Sequence, residues 1–144
     1  MHRLLFALLI ASSGPAFSAP SIVEKPTPAA SSSGALLEDI GIETLGGVLT
    51  PLLARGCKLP CASTKVFSNA DDGQTEIKLF LYRGTAKLAK DGHRLGAYVI
   101  SGIPAVARGR AQVAITFAVD ADQITLSAFD KKTDLALEIR HSEN

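Results

Sequence analysis

The chain has 144 residues, of which 47% are hydrophobic and 20% charged, a composition that excludes a disordered tail and suits one domain with an apolar core. Its formal net charge is only +1, which argues against nucleic acid as a partner and gives no support to an anionic membrane. Tryptophan is absent and aromatic residues are few, so a stacking platform for bases or sugars is poorly supplied. The expected partner is another protein or a peptide.

The first 18 residues have the organisation of an export signal. Arg3 precedes an uninterrupted apolar run over residues 4–11, which is followed by small residues. This order, with Ala16 and Ser18 ahead of the cleaved bond, is typical of a secretory signal peptide and predicts a mature start at Ala19. The apolar run is much shorter than the ~20 residues that a membrane-spanning helix needs. We therefore expect an exported protein, periplasmic or secreted, with a cleaved signal and no membrane anchor.

A short linking segment separates this signal from the folded part. Residues 19–34 contain three prolines and the run Ser31-Ser32-Ser33, which predicts a flexible or extended tether without a core of its own. Cleavage of the signal would remove one basic residue and no acidic one, so the mature chain would have a net charge of zero. The folded domain is expected over residues 35–144.

From residue 36 onward the sequence has the pattern of an all-β domain. Apolar residues alternate with others at the period of half-buried strands, and turn-forming sequences such as Asp71-Asp72-Gly73 and Gly102-Ile103-Pro104 separate the runs. No stretch after the signal carries a convincing helical stripe. These features predict an antiparallel β-sandwich of about eight strands. The alternating apolar positions are Ile77, Leu79 and Leu81; Val113, Ile115, Phe117 and Val119; Ile124, Leu126 and Ala128; and Leu135, Leu137 and Ile139.

The two cysteines lie close together in sequence. Cys57 and Cys61 flank Lys58-Leu59-Pro60, and in an exported protein this predicts a disulfide, with free thiols or pairing between chains as alternatives. The spacing is not that of a redox-active Cys-x-x-Cys pair. A zinc site would need two further ligands, and His93 and His141 are the only histidines after the signal. We therefore predict no metal site.

No recognisable catalytic site is present in the sequence. We interpret Asp71-Asp72-Gly73 and Asp120-Ala121-Asp122 as acids in strand-joining turns rather than as catalytic carboxylates or calcium loops. Ser68, Ser101 and Ser127 lack the Gly-x-Ser-x-Gly setting of an activated serine. The sequence therefore predicts that the protein is not an enzyme and that it has no cofactor.

An ordered set of short motifs runs through the folded part. It begins with Gly41-Ile42-Glu43-Thr44-Leu45-Gly46-Gly47 and continues through Val66-Phe67-Ser68-Asn69-Ala70, Gly102-Ile103-Pro104, Arg108-Gly109 and Val119-Asp120-Ala121-Asp122. In order and spacing, the set resembles the substrate-binding β-sandwich of the seventy-kilodalton heat-shock chaperones of the DnaK type. The resemblance extends from about Leu36 to the end of the chain.

The resemblance implies a channel that holds an extended apolar peptide between two loops, residues 42–47 and 67–74. The implied central pocket consists of Ile42, Phe67, Ile77, Leu79 and Val113. Leu45 and Ala70 match the pair that arches over the bound backbone, and Ser68 and Lys78 match positions whose main chain meets the peptide. Thr44 and Gln74 complete the implied peptide-binding set.

The departures from the family are as informative as the matches. The sequence contains no glycine-rich phosphate loop, and it ends soon after the last strand, where the family continues into a helical lid. Arg108 and Asp72 match positions that latch this lid in the family. The resemblance therefore implies an ATP-independent, holdase-like chaperone module for unfolded proteins, from which bound peptide exchanges quickly. Whether an ATPase or a lid acts in trans stays open.

Three other hypotheses are compatible with the sequence. Stripes such as Ile77, Leu79 and Phe67 are often plain core rather than a ligand pocket. The second hypothesis is that the sandwich is a scaffold that recognises one folded partner or its own copies. A decayed gene fragment is the third, although the intact signal pattern and the unbroken strand alternation argue against it.

Overall fold

A computed structural model of the chain describes residues 21–24, 34–120 and 123–142. In these ranges the protein forms two antiparallel sheets, with strand orders β1-β8-β7-β4 and β3-β2-β5-β6-β9. The described ranges contain one short 3-10 turn, Ala89–Asp91, and no α-helix. The strands are β1 Ser21–Glu24, β2 Asp39–Thr44, β3 Val48–Leu53, β4 Cys61–Phe67, β5 Glu76–Gly84, β6 His93–Ser101, β7 Val113–Val119, β8 Ile124–Asp130 and β9 Glu138–Ser142. The prediction of an all-β antiparallel sandwich is confirmed, with nine strands described where the sequence predicts about eight.

The core lies between the two sheets and follows the period-two pattern of the sequence. Leu79 and Leu81 of β5 belong to the same buried cluster as Ile115 and Phe117 of β7. Successive side chains of a strand point to opposite faces, so the residues between them face outward. The alternation seen in the sequence thus determines which face of each of these strands is buried.

The predicted burial of the last alternating run, Leu135, Leu137 and Ile139, is only partly confirmed. Leu137 and Ile139 are buried, but Leu135 is 65% exposed and precedes β9. The chain turns just before this point, where Asp134 has a φ of 60° and the amide of Asp130 donates to the carbonyl of Leu135. This turn interrupts the strand period, and the prediction that Leu135 packs in the core is wrong.

Strand β1 lies within the segment that the sequence predicts as a tether. Residues 21–24 pair antiparallel with the free edge of β8, with Ser21 opposite Ser127 and Glu24 opposite Ile124. This part of residues 19–34 is therefore extended and hydrogen-bonded to the sandwich. The predicted signal, residues 1–18, lies outside the described residues, and so do the last two residues of Asp120-Ala121-Asp122.

The predicted disulfide is present and joins Cys57, in the connection between β3 and β4, to Cys61, the first residue of β4, with the two Cα atoms 6.4 Å apart. Both cysteines pack against the main core cluster. The amide of Leu36 donates to the carbonyl of Cys57, so this loop also holds the chain before β2. Among the residues that the structure describes, no helix is long and apolar enough to cross a membrane.

Candidate functional site

Two loops lie at the same end of the sandwich, beside the start of β5. The first loop, residues 45–47, joins β2 to β3, and the second loop, residues 68–75, joins β4 to β5. Because β2 and β5 are antiparallel, the end of β2 lies next to the beginning of β5. The fold therefore brings together the two segments that the sequence predicts as walls of a channel.

The first loop is a tight turn that presents one apolar side chain. The amide of Gly47 donates to the carbonyl of Thr44 at 2.9 Å. Gly46 and Gly47 have φ angles of 86° and 75°, a region that glycine adopts without the strain that a side chain brings. Leu45, at the tip, is fully exposed. The predicted arching residue is thus available to a ligand.

Main-chain contacts support the first loop from behind. The carbonyl of Gly47 accepts a hydrogen bond from the amide of Ala89, and the amide of Leu49 donates to the carbonyl of Lys87. The hydroxyls of Thr44 and Thr50 lie 2.7 Å apart and bond across the β2–β3 hairpin. Thr44, predicted to contact the peptide, therefore stabilises the base of the turn.

A tyrosine next to this loop has a raised pKa. The hydroxyl of Tyr82 donates to Oε2 of Glu43 at 3.2 Å. Burial raises the pKa of Tyr82 above its usual value of 10.0, and the hydrogen bond and negative charge of Glu43 raise it further, while the positive charge of Arg94 opposes them. Tyr82 is therefore protonated, and this bond is intact, at neutral pH.

The second loop is organised by a buried asparagine that the sequence analysis did not single out. Asn69 is 3% exposed. Its Nδ2 donates to the carbonyls of Asp71, Val106 and Ala107 at 2.9 to 3.1 Å, and its Oδ1 accepts from the amide of Ala111 at 3.0 Å. A single carboxamide thus joins the second loop to the loop that follows β6.

Two further side chains fix the second loop. Oε1 of Gln74 accepts from the amides of Ala70 and Asp71, and its Nε2 donates to the carbonyl of Glu76. Oδ1 of Asp72 accepts from the amide of Arg108 at 2.8 Å. The sequence predicts Gln74 as a peptide contact, but in the structure its side-chain oxygen and nitrogen form hydrogen bonds within the second loop and to Glu76. Side-chain hydrogen bonds therefore hold the second loop in place on its side of the predicted channel.

The predicted pocket residues come together in one apolar cluster. Ile42, Ile77, Leu79 and Val113 all belong to the main core, and Phe67 packs against it while partly exposed. Ile42, Ile77, Leu79 and Val113 are only 1 to 8% exposed, so their side chains fill the space between the sheets. A side chain of a bound peptide would have to open this cluster from the side of the two loops.

The pairing between β2 and β5 ends before the two loops. Pairing of β2 with β5 ends at Ile42 opposite Leu81, although β2 continues to Thr44 and β5 begins at Glu76. In the described part, the edge of β5 that faces β2 is therefore without a strand partner near the loops. This edge offers main-chain donors and acceptors to an extended chain.

Exposed residues line the rest of the predicted site. Ser68 and Ala70 are exposed in the second loop. Nζ of Lys78 lies 5.2 Å from the centre of the Phe80 ring, on the outer face of β5. Its side chain thus points away from Ile77 and Leu79, and only its main chain is placed to meet a peptide.

Comparison with known proteins identifies the family. The family model described as Hsp70 protein matches residues 28–144. The chain is 44% identical over 95 residues to the chaperone protein DnaK of Mesomycoplasma hyopneumoniae strain 232. The aligned residues make up 65% of this chain and 16% of that protein. The chain is 46% identical over 93 residues to the chaperone protein DnaK of Anaplasma marginale strain St. Maries, covering 64% and 14%. The chain thus spans less than one fifth of the length of these relatives. The family model matches well over half of the residues of the chain, and the chain therefore belongs to the Hsp70 protein family.

Proposed function

We propose that this chain binds extended apolar segments of unfolded proteins between its first and second loops. The observation that carries the proposal is the apolar cluster of Ile42, Ile77, Leu79 and Val113 next to an unpaired edge of β5. Leu45 is exposed on one side of this region, and the braced second loop forms the other side. An extended peptide would find main-chain partners, an apolar cluster that one of its side chains could enter, and the side chain of Leu45 to close over it.

Such a site favours weak and promiscuous binding. Burial of one leucine side chain contributes roughly 1.5 to 3 kcal/mol, and each main-chain hydrogen bond contributes about 1 kcal/mol net. Association costs about 4 kcal/mol or more. A few hydrogen bonds and one pocket therefore give affinities that are micromolar or weaker, and main-chain pairing gives little sequence preference.

We infer that the chain acts without ATP and outside the cytoplasm. Support for the first point is that the sequence has no glycine-rich phosphate loop and no recognisable catalytic constellation. Support for the second is the signal-like pattern of residues 1–18 together with the disulfide Cys57–Cys61, since disulfides persist in oxidising compartments. The proposed role is a non-enzymatic holdase.

A peptide-binding assay tests the proposal. A fluorescent leucine-rich heptapeptide should bind reversibly with micromolar affinity, and addition of ATP should leave that affinity unchanged. Ile77→Phe should abolish binding, because the larger ring occupies the pocket beside Leu79. Circular dichroism must show that this variant is folded. If it is not, Leu45→Asp, at an exposed position, replaces it and should also weaken binding. Absence of binding by the unmodified chain at high micromolar concentration would refute the proposed function.

A further inference from the structure

The disulfide between Cys57 and Cys61 joins a loop to a strand. Cys61 is the first residue of β4 and lies opposite Val119 of β7, so it is part of the four-stranded sheet. Cys57 lies after β3, which ends at Leu53, in a stretch that belongs to neither β3 nor β4. We call residues 55–59 the cysteine loop. The disulfide therefore attaches this loop to the sandwich by a covalent bond.

The cysteine loop is the partner of the segment that enters the sandwich before β2. This entry segment consists of residues 34–36, and Ala35 forms an antiparallel bridge with Lys58 of the loop. Three main-chain hydrogen bonds of 2.8 to 2.9 Å join the two stretches: from the amide of Leu36 to the carbonyl of Cys57, from the amide of Gly56 to the carbonyl of Leu36, and from the amide of Leu59 to the carbonyl of Gly34. The entry segment thus lies along the cysteine loop as one strand lies along another.

The entry segment also contributes a side chain to the core. Leu36 is 2% exposed and belongs to the main core cluster, against which both cysteines pack while partly exposed. Next to it, Oδ1 of Asp39, the first residue of β2, accepts a hydrogen bond of 2.7 Å from the amide of Arg55 in the cysteine loop. Main-chain bonds, a side-chain bond and apolar packing therefore hold the loop and the segment together.

The disulfide determines how far this pair of stretches can move. A disulfide stabilises a fold mainly by limiting the conformations that the chain reaches when it opens. Here it keeps Cys57 beside the start of β4, so the amides and carbonyls that bind the entry segment stay in place. The entry segment and the cysteine loop lie outside the strands of both sheets. Without the covalent bond, the two stretches can open together while the sheets stay paired.

We propose that the disulfide Cys57–Cys61 is a redox-sensitive switch that holds the entry segment when oxidised and releases it when reduced. A dithiol reductant supplies two electrons and two protons: the Sγ–Sγ bond breaks, two cysteine thiols form, and the reductant becomes a disulfide. Both cysteines are partly exposed, so such a reductant can reach them. In the released form, Leu36 leaves the core, and the amides of Gly56 and Leu59 lose their partners in the entry segment.

This switch is separate from the proposed peptide site. The entry segment precedes β2, whereas the first loop follows β2 at the other end of the strand. The second loop is held by Asn69, Asp72 and Gln74, which bond to residues outside the cysteine loop and the entry segment. Failure of peptide binding would therefore leave this proposal intact, and failure of the switch would leave the proposed function intact.

Amide hydrogen exchange of the full chain, followed residue by residue by NMR, tests the proposal. Dithiothreitol is the reductant, and thiol titration before and after its addition measures the state of the disulfide. Reduction should speed exchange of the amides of Leu36, Gly56 and Leu59 by about tenfold or more. The amide of Gly73 is the matched internal control, because it donates a main-chain bond of 2.9 Å to Val106 in the second loop. Its exchange should change by less than about twofold.

A variant without the disulfide separates its loss from other effects of the reductant. The double substitution Cys57→Ser and Cys61→Ser should show the fast exchange at Leu36, Gly56 and Leu59 without reductant, and dithiothreitol should change nothing further. Trypsin gives a second readout, since Arg55 and Lys58 are exposed cleavage positions in the cysteine loop. Cleavage there should be faster in the reduced chain and in the double variant than in the oxidised chain.

Each outcome decides the proposal. Two free thiols before reductant is added, or unchanged exchange of the three amides after complete reduction, would overturn it. Equally faster exchange at Gly73 and throughout β5 would also overturn it, because the disulfide would then support the whole fold rather than the entry segment. If circular dichroism shows that the double variant does not fold, the comparison of the oxidised and reduced unmodified chain decides alone.

Discussion

The two loops at the candidate site are built in opposite ways. The first loop is a short glycine turn closed by main-chain bonds, and its one large side chain, Leu45, contacts solvent on all sides. The second loop is longer, but the side chains of Asn69, Asp72 and Gln74 tie it to itself and to residues 106–111. One side of the site is therefore an exposed leucine, and the other is a loop held in place by side-chain hydrogen bonds.

This difference separates stability from binding. Side chains that form hydrogen bonds within the fold contribute to folding, and their contribution to binding is to hold a surface in place. A side chain that is fully exposed contributes little to folding, and its apolar area becomes useful only when a ligand covers it. Mutations of the bonded side chains of the second loop should therefore change the free energy of unfolding, and mutations at Leu45 should change peptide affinity alone.

Asn69→Ala should have the largest effect. It leaves the buried amide of Ala111 without its carboxamide acceptor and releases the second loop from Val106 and Ala107. We expect a loss of about 2–3 kcal/mol in the free energy of unfolding, measured by urea titration, because an unsatisfied buried group carries its full desolvation cost. Peptide affinity should also fall, since the wall is no longer fixed.

The neighbouring residue provides the matched control for this prediction. Ser68 is exposed, and its hydroxyl makes one longer bond of 3.3 Å to Oδ1 of Asn69. Ser68→Ala should change the unfolding free energy by less than about 0.5 kcal/mol. Equal losses in the two variants would contradict the assignment of Asn69 as the residue that braces the loop.

Leu45→Ala should have an intermediate effect, confined to binding. The side chain is fully exposed, so the free energy of unfolding should change by less than about 0.5 kcal/mol. Loss of the leucine's burial against a bound peptide should weaken affinity about tenfold, mainly through faster dissociation. Fluorescence anisotropy and stopped-flow dissociation measure the two quantities. Leu37→Ala, at an exposed leucine near the opposite end of β2, should alter neither, and a similar loss of affinity there would show that Leu45 has no special role.

The same contrast explains what the sequence could predict. Alternating apolar residues such as Val113, Ile115 and Phe117 indicate which face of a strand is buried, because neighbouring residues in the sequence suffice to define a period of two. Glycines at 46 and 47 likewise predict a turn. The bond from Asn69 to Val106 joins residues 37 positions apart, so no local pattern marks Asn69 as buried. Strand β1 has only four residues, and it is defined by the edge of β8, about a hundred residues later in the chain.

Tyr82→Phe should have the smallest effect, and it tests the side-chain hydrogen bond between Tyr82 and Glu43 beside the first loop. The hydroxyl of Tyr82 donates to Glu43, one residue before Thr44, at 3.2 Å. Tyr82→Phe removes this bond to an exposed carboxylate and should cost about 1 kcal/mol or less of unfolding free energy. Because the folded state raises the pKa of Tyr82 above 10.0, its contribution to stability is fully present below the unfolded pKa and is lost as the pH rises through the folded value. The difference in stability between the unmodified chain and Tyr82→Phe should therefore be constant near neutral pH and shrink above about pH 10. Urea titrations of both proteins from neutral to alkaline pH measure it. A difference that grows with alkalinity would mean that the ionised tyrosine is the better-stabilised form in the folded chain, and that the carboxylate of Glu43 is not its partner.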